Sequence, residues 1–81
     1  MKGTNSQLQD SVQSPELTKR EYEVVALLAI GNPNKIVADT LGISTRTAEA
    51  HRASIMHKLG LRSIPDLVMY AIRNKIIQLG I

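Results

Sequence analysis

Apolar residues recur at helical spacing in four segments of the chain, and each segment is bounded by residues that start or stop helices. At the start of the first segment, Thr18 and Glu21 form a capping box. The apolar residues that follow on one face are Val24, Val25 and Leu28. Gly31 is placed to end this helix. Since no segment shows the alternation of a β-strand, the pattern predicts an all-α fold.

The second segment begins at a proline. Asn32 is the predicted N-cap of the second helix, with Pro33 at the first helical position, where a missing N–H costs nothing. This helix is expected to run to about Leu41 and to end at Gly42. Its predicted inward-facing residues are Ile36, Val37 and Leu41.

The third helix follows after a very short break. Ser44 is its predicted N-cap, so only Gly42 and Ile43 separate it from the second helix. A break this short makes the two helices cross at a steep angle, as in a helix-turn-helix. The third helix is expected to run to about Leu59 and to stop at Gly60. Its predicted inward-facing residues are Ala48, Ile55 and Leu59.

The fourth helix carries more apolar surface than one core needs. Ser63 and Asp66 form an S-x-x-D cap, and the pattern predicts a helix over about residues 64–79. One apolar stripe fits the core and contains Leu67, Tyr70 and Ala71. A second stripe, on roughly the opposite side, is a predicted homodimer interface of Val68, Met69, Ile72 and Ile76. The alternative is that Ile76 and Ile77 fold back onto the first helix.

The composition agrees with one small helical domain. The chain has 81 residues and no Cys, Phe or Trp, so its core must be aliphatic and it has no disulfide framework. Residues 1–15 are rich in polar residues and predict a flexible arm or interdomain linker, which leaves residues 16–81 as the folded domain. Neither a signal peptide nor a bilayer-spanning run is apparent, and a cytoplasmic location is expected by elimination.

Basic residues predominate around the third helix. The net charge of +3 permits an anionic partner without identifying it. Between Ser44 and Arg62 the only acid is Glu49. Opposite its inward-facing residues, the helix carries a mixed face of Arg46, Glu49, Ala50, Ala53 and His57. Such a face is typical of a helix that reads DNA, and also of a helix face that is simply solvated.

The sequence offers little for catalysis or for a cofactor. His51 and His57 lie six positions apart, on different faces of the helix, with no third ligand nearby, so a metal site is not expected. No nucleophile with a base, paired carboxylates or phosphate-cradling loop is found. The chain is therefore expected to be neither an enzyme nor a binder of a small molecule.

Several motifs in register resemble the LuxR/NarL/FixJ-type helix-turn-helix domain over about residues 17–77. They are the runs 17–21, 34–38, 41–44, 47–52 and 55–60, together with Ser63. The resemblance implies a compact four-helix bundle with a helix-turn-helix, related to winged-helix proteins but without the wing. It also implies the output domain of a bacterial two-component response regulator, which binds an inverted-repeat promoter site as a dimer.

The resemblance also assigns roles by position. Residues that match its base-reading positions are Glu49, Ala50 and Ala53, and we add Arg46 from the same face. Residues that match its phosphate-contact positions are Asn34, Lys35, Thr47, His51, Arg52 and Lys58. Ser44 and Thr45 are further candidate phosphate donors at the start of the helix, although Ser44 is expected to act mainly as the cap. Expected partners are double-stranded DNA, a second copy of the chain and RNA polymerase.

Two positions depart from the family pattern. Glu49 stands where many members carry Lys, and a carboxylate is repelled by phosphate but accepts a hydrogen bond from cytosine N4. Ile36 stands where Glu is usual, which removes a polar contact and is expected to alter packing near Arg20. The target sequence of a relative therefore does not transfer to this chain.

Two other functions are open at this point. A sigma-factor region that binds a promoter element shares a similar helix-turn-helix, but it needs no self-paired fourth helix. A protein–protein module on the same fold would use its helices to contact another protein. The apolar fourth helix disfavours the sigma-factor region. The basic residues around the third helix disfavour the protein–protein module.

Overall fold

The computed structural model describes residues 17–78, and within them it contains four helices and no strand. The helices are α1 (Lys19–Ala29), α2 (Asn34–Leu41), α3 (Thr45–Leu59) and α4 (Ile64–Arg73). α1 packs against each of the other three helices, and α2 packs against α3. The predicted all-α, four-helix fold is confirmed. The predicted arm, residues 1–15, lies outside the described residues.

The core is aliphatic, as the composition requires, and every helix contributes to it. Its largest fully buried side chains are Ile55, Leu67, Val24, Val25 and Val37. Burying an aliphatic side chain of this size stabilises the fold by about 1.5–3 kcal/mol. The inner positions predicted for α1 and α3 and the core stripe predicted for α4 all contact this cluster.

Hydrogen bonds between residues close in sequence fix where the helices begin. Thr18 Oγ1 accepts from the Glu21 N–H at 3.1 Å, and Glu21 Oε1 accepts from the Thr18 N–H at 2.9 Å, so the predicted capping box is confirmed. Ser63 Oγ accepts from the Asp66 N–H at 3.3 Å and caps α4. Each of these bonds joins residues three apart, which is why the sequence alone reveals them.

The predicted start of α2 is wrong by one residue. Pro33 is the N-cap and Asn34 is the first helical residue. Asn32 closes α1 instead, because both its backbone N–H and its side-chain amide donate to the Leu27 carbonyl, at 3.1 and 3.0 Å. Asn32 thereby satisfies a carbonyl that the last turn of α1 leaves without a helical partner.

The inward face of α2 also differs from its prediction. Val37 is fully buried and Leu41 is partly buried, as predicted, but Ile36 is 42% exposed. Ala38 is buried in the core with 1% exposure. Because each helical residue turns by about 100°, the neighbours Val37 and Ala38 define an inward direction that leaves Ile36 on the outer side.

α4 is shorter than its apolar pattern predicts. It ends at Arg73 rather than near Leu79, because Lys75 takes a positive φ of 60° and turns the chain. The Ile76 N–H then donates to the Ala71 carbonyl at 2.8 Å, and Ile76 and Ile77 pack against the core. This packing agrees with the fold-back alternative for Ile76 and Ile77, and Ile76 lies outside the helix.

Candidate nucleic-acid interface

α2, a three-residue connection and α3 form a helix-turn-helix. Gly42 takes a φ of 70°, which L side chains rarely adopt, and the Ile43 N–H reaches back to the Ala38 carbonyl at 3.0 Å. From α1, Arg20 Nη1 donates to the Leu41 carbonyl at 3.3 Å. The end of α2 is therefore held both by its own turn and by α1, and this holds the start of α3 in place.

Two hydroxyl side chains close the first turn of α3. Ser44 Oγ accepts from the Thr47 N–H at 3.0 Å and donates to Thr47 Oγ1 at 2.9 Å. The capping role predicted for Ser44 is confirmed. Both residues are exposed, as is Thr45. Their phosphate contacts stay a prediction, as does the contact of Thr45.

α3 has an inner and an outer face of opposite character. On the inner face, Ala48 and Ile55 are 1% and 0% exposed. On the outer face all four predicted base-reading residues are exposed, namely Arg46, Glu49, Ala50 and Ala53. The outer face is therefore mixed in charge, small in its middle and open to a partner, as a helix entering a major groove requires.

The other predicted phosphate contacts differ in exposure. Lys35 is exposed in the first turn of α2, next to Asn34, which is half-buried. Asn34 Oδ1 is fully buried and has no hydrogen-bond partner among the described residues. His51 and Arg52 are half-buried on α3. The structure thus groups the candidates at the start of α2 and along α3, and their contacts with phosphate stay predictions.

Lys58, the remaining phosphate candidate, forms an ion pair that no pattern in the sequence predicted. Its Nζ donates to Glu21 Oε2 at 2.9 Å and to Oε1 at 3.0 Å. The Glu21 side chain is only 8% exposed, whereas that of Lys58 is 35% exposed. The capping carboxylate of α1 is therefore also the partner of a base near the end of α3. One feature of the sequence could have indicated this pair: the glutamate of the capping box lies on the same side of its helix as the core residues.

The surroundings of Glu21 favour its charged form. The Thr18 N–H, which donates to the carboxylate, lowers the pKa of Glu21 below its ordinary value of 4.5, and the Lys58 ammonium lowers it further. Burial acts in the opposite direction, but the net shift is downward. Glu21 therefore keeps its negative charge in the fold, because the Thr18 N–H and the Lys58 ammonium both stabilise the carboxylate.

α4 presents the three remaining residues of the predicted dimer stripe on its surface. Met69 is 52% exposed, and Val68 and Ile72 are half-buried. Since Ile76 lies beyond the helix and against the core, the stripe is shorter than predicted. Self-association through it stays a prediction.

Residues 17–78 hold neither a cluster of metal ligands nor a helix that could span a membrane. No group of three His, Asp or Glu side chains in this part of the chain is arranged to hold a metal ion. No helix in the same range combines the length and the apolar character needed to cross a membrane.

The architecture and the open face of α3 define a DNA-binding domain of the helix-turn-helix class. Residues 15–71 match the family described as "Bacterial regulatory proteins, luxR family". This chain belongs to that family, and it is a DNA-binding domain of a transcription regulator.

The chain is also similar to individual regulators. It is 48% identical over 62 residues to the oxygen regulatory protein NreC of Staphylococcus aureus strains JH9, JH1 and Mu3. The aligned part covers 76% of this chain and 29% of each relative, so the chain spans under a third of the length of these relatives. No solved structure gives a significant match.

Proposed function

We propose that this domain is the output domain of a response regulator and that it binds an inverted-repeat site in double-stranded DNA as a homodimer. The observation that carries the proposal is the exposed outer face of α3, held out by the capped turn at Gly42 and Ser44. The relatives are named as oxygen regulatory proteins. The part of each relative that lies outside the match is more than twice as long as the matched part. A sensing or receiving function is therefore assigned to other parts of such regulators.

In the proposed complex, α3 enters the major groove. Base edges are read by the outer face, whereas phosphates are contacted from the start of α2 and from the flanks of α3. Exposed Lys35 supplies positive charge at the start of α2, and the exposed hydroxyl residues Ser44, Thr45 and Thr47 supply neutral polar groups at the start of α3. We place this activity in the bacterial cytoplasm, where the DNA is found, with RNA polymerase as a further predicted partner.

The DNA-binding proposal is tested by selecting duplexes from a randomised pool and measuring their binding by fluorescence anisotropy at several salt concentrations. We expect an inverted repeat, bound with an affinity that falls steeply with salt. The slope of log affinity against log salt concentration has a magnitude of about 0.9 for each phosphate contacted. A folded chain that binds no duplex at low salt would contradict the proposal and favour the protein–protein module.

The dimer is tested separately by sedimentation of Met69→Glu. Met69 is the most exposed large hydrophobic residue of α4, so a charge there should separate the protomers without disturbing the core. Ile36→Glu is the matched control, because it adds the same charge to an exposed apolar side chain on α2. If the parent chain is a dimer and Met69→Glu leaves its mass unchanged, the α4 interface is wrong.

A further inference from the structure

Glu49 is an isolated acid on the outer face of α3. It is the only Asp or Glu in the helix, and its side chain is exposed. Arg46 and Arg52 lie three positions before and after it, yet neither forms an ion pair with it. Within residues 17–78 the ion pairs are Arg20–Glu23 and Lys58–Glu21. The Glu49 carboxylate is therefore open toward whatever α3 contacts.

A carboxylate that approaches DNA is repelled by the phosphates and loses hydration, so it is tolerated only where the groove offers a donor. An ionised carboxylate is an acceptor only. In the major groove, guanine presents two acceptors and thymine an acceptor and a methyl group. Cytosine N4 and adenine N6 present donors, but adenine N7 is an acceptor beside its donor. The expected order of preference is cytosine first, adenine second, and then thymine and guanine.

The neighbours of Glu49 leave space for such a contact. Ala50 and Ala53 are exposed and short, one and four positions further along the helix. Their methyl groups let the α3 backbone come close to the base edges, where a longer Glu side chain can reach N4. Apolar contact of an Ala with a thymine methyl is also available there.

We propose, on the basis of the proposed DNA-binding function, that Glu49 selects one cytosine in each half-site by accepting a hydrogen bond from its N4 amino group. Replacing that cytosine should weaken binding by roughly 5- to 30-fold per half-site, which corresponds to about 1–2 kcal/mol. The residue at position 49 then determines the base at one position of the target.

The test is a parallel selection from randomised duplexes with the parent chain and three variants at position 49. Glu49→Gln should change the selected base from cytosine to adenine, because an amide bonds to N6 and N7 together. Glu49→Lys should change it to guanine, because an ammonium donates to O6 and N7. Glu49→Ala should relax the preference. Since Glu49 is exposed, all three variants should fold, which circular dichroism checks.

Glu23→Gln is the matched control. It removes the same charge from an α1 side chain that is 42% exposed, and it should change no position of the selected site. A parent chain that selects no sequence contradicts the proposed function itself. A parent chain that selects a site whose bases are the same for every variant at position 49 overturns only the role of Glu49. The role is overturned as well if Glu49→Gln alters a neighbouring guanine instead, since Glu49 would then act by orienting Arg46.

Discussion

Charged residues differ in their surroundings on the two faces of α3. On the inner side Lys58 donates to a buried carboxylate of α1 at 2.9 and 3.0 Å, and Ile55 is fully buried in the core. On the outer side Arg46 and Glu49 are exposed and form no ion pair with any residue of the described range 17–78. The inner charges stabilise the fold, whereas the outer charges are available to a partner.

This contrast shows that a count of the Lys and Arg residues in α3 overstates the positive charge that the helix can offer to DNA. Lys58 is partly neutralised by Glu21, so the phosphate contact predicted for it must compete with a 2.9 Å ion pair. Among the residues that the structure describes, no carboxylate competes in this way for Arg46. Five predictions test the contrast, and those on stability run from the largest expected loss to the smallest.

The largest loss is expected on the inner face. Ile55→Ala should lower the free energy of unfolding by about 2–5 kcal/mol, because it leaves a cavity at a position with no exposure. Urea unfolding measures this loss. Ala53→Ser, on the exposed outer face, should change the same quantity by about 0.5 kcal/mol or less. Similar losses for the two variants would contradict the assignment of the faces.

A smaller loss is expected at the ion pair. Lys58→Met should lower the free energy of unfolding by about 1–3 kcal/mol, because the buried Glu21 carboxylate keeps its charge without its cation. Adding Glu21→Gln should recover part of that loss, since the neutral amide oxygen still accepts from Thr18. Lys35→Met removes an exposed lysine and is the control, with a change of about 0.5 kcal/mol or less.

The same Lys58→Met variant tests the predicted phosphate contact. If Lys58 also contacts phosphate, the slope of log affinity against log salt should become shallower by about 0.9. An unchanged slope together with reduced stability would assign Lys58 to the α1–α3 contact alone.

The pH dependence of stability should be milder but specific to Glu21. Because folding lowers the pKa of Glu21 below 4.5, the folded state binds the proton less readily than the unfolded state. The resulting stabilisation is present above pH 4.5 and is lost as the pH falls through the lower pKa of the folded state. Denaturant unfolding from pH 7 down to pH 3 measures it, and Glu21→Gln should flatten the profile in that range. A parallel profile in the variant would show that other carboxylates dominate.

The smallest effect on stability is expected at Arg46. Arg46→Ala should change the free energy of unfolding by about 0.5 kcal/mol or less, since the residue is exposed and forms no ion pair within residues 17–78. In the proposed complex it should nevertheless weaken binding to the selected site by about 1–3 kcal/mol and relax one base preference. A comparable loss on every sequence would mean that Arg46 contacts phosphate rather than a base.

The sequence alone determined the helical fold, most helix starts and the helix-turn-helix, because these depend on short-range signals. The capping bonds of Thr18, Ser44 and Ser63 each span three residues, and Gly42 marks a turn that favours a positive φ. The outer face of α3 followed from helical periodicity, and the family resemblance identified its proposed role. Short-range bonds and periodicity do not depend on how the helices finally pack.

Only the tertiary structure decided the remaining features. α4 stops at Arg73 because Lys75 adopts a positive φ without a glycine, while Ile76 and Ile77 pack against the core. Ile36 is exposed because Val37 and Ala38 set the inward direction of α2. Lys58 meets Glu21 across 37 positions of the chain. A contact between residues so distant in sequence exists only when the packing of α3 on α1 brings them together, and no local pattern records it.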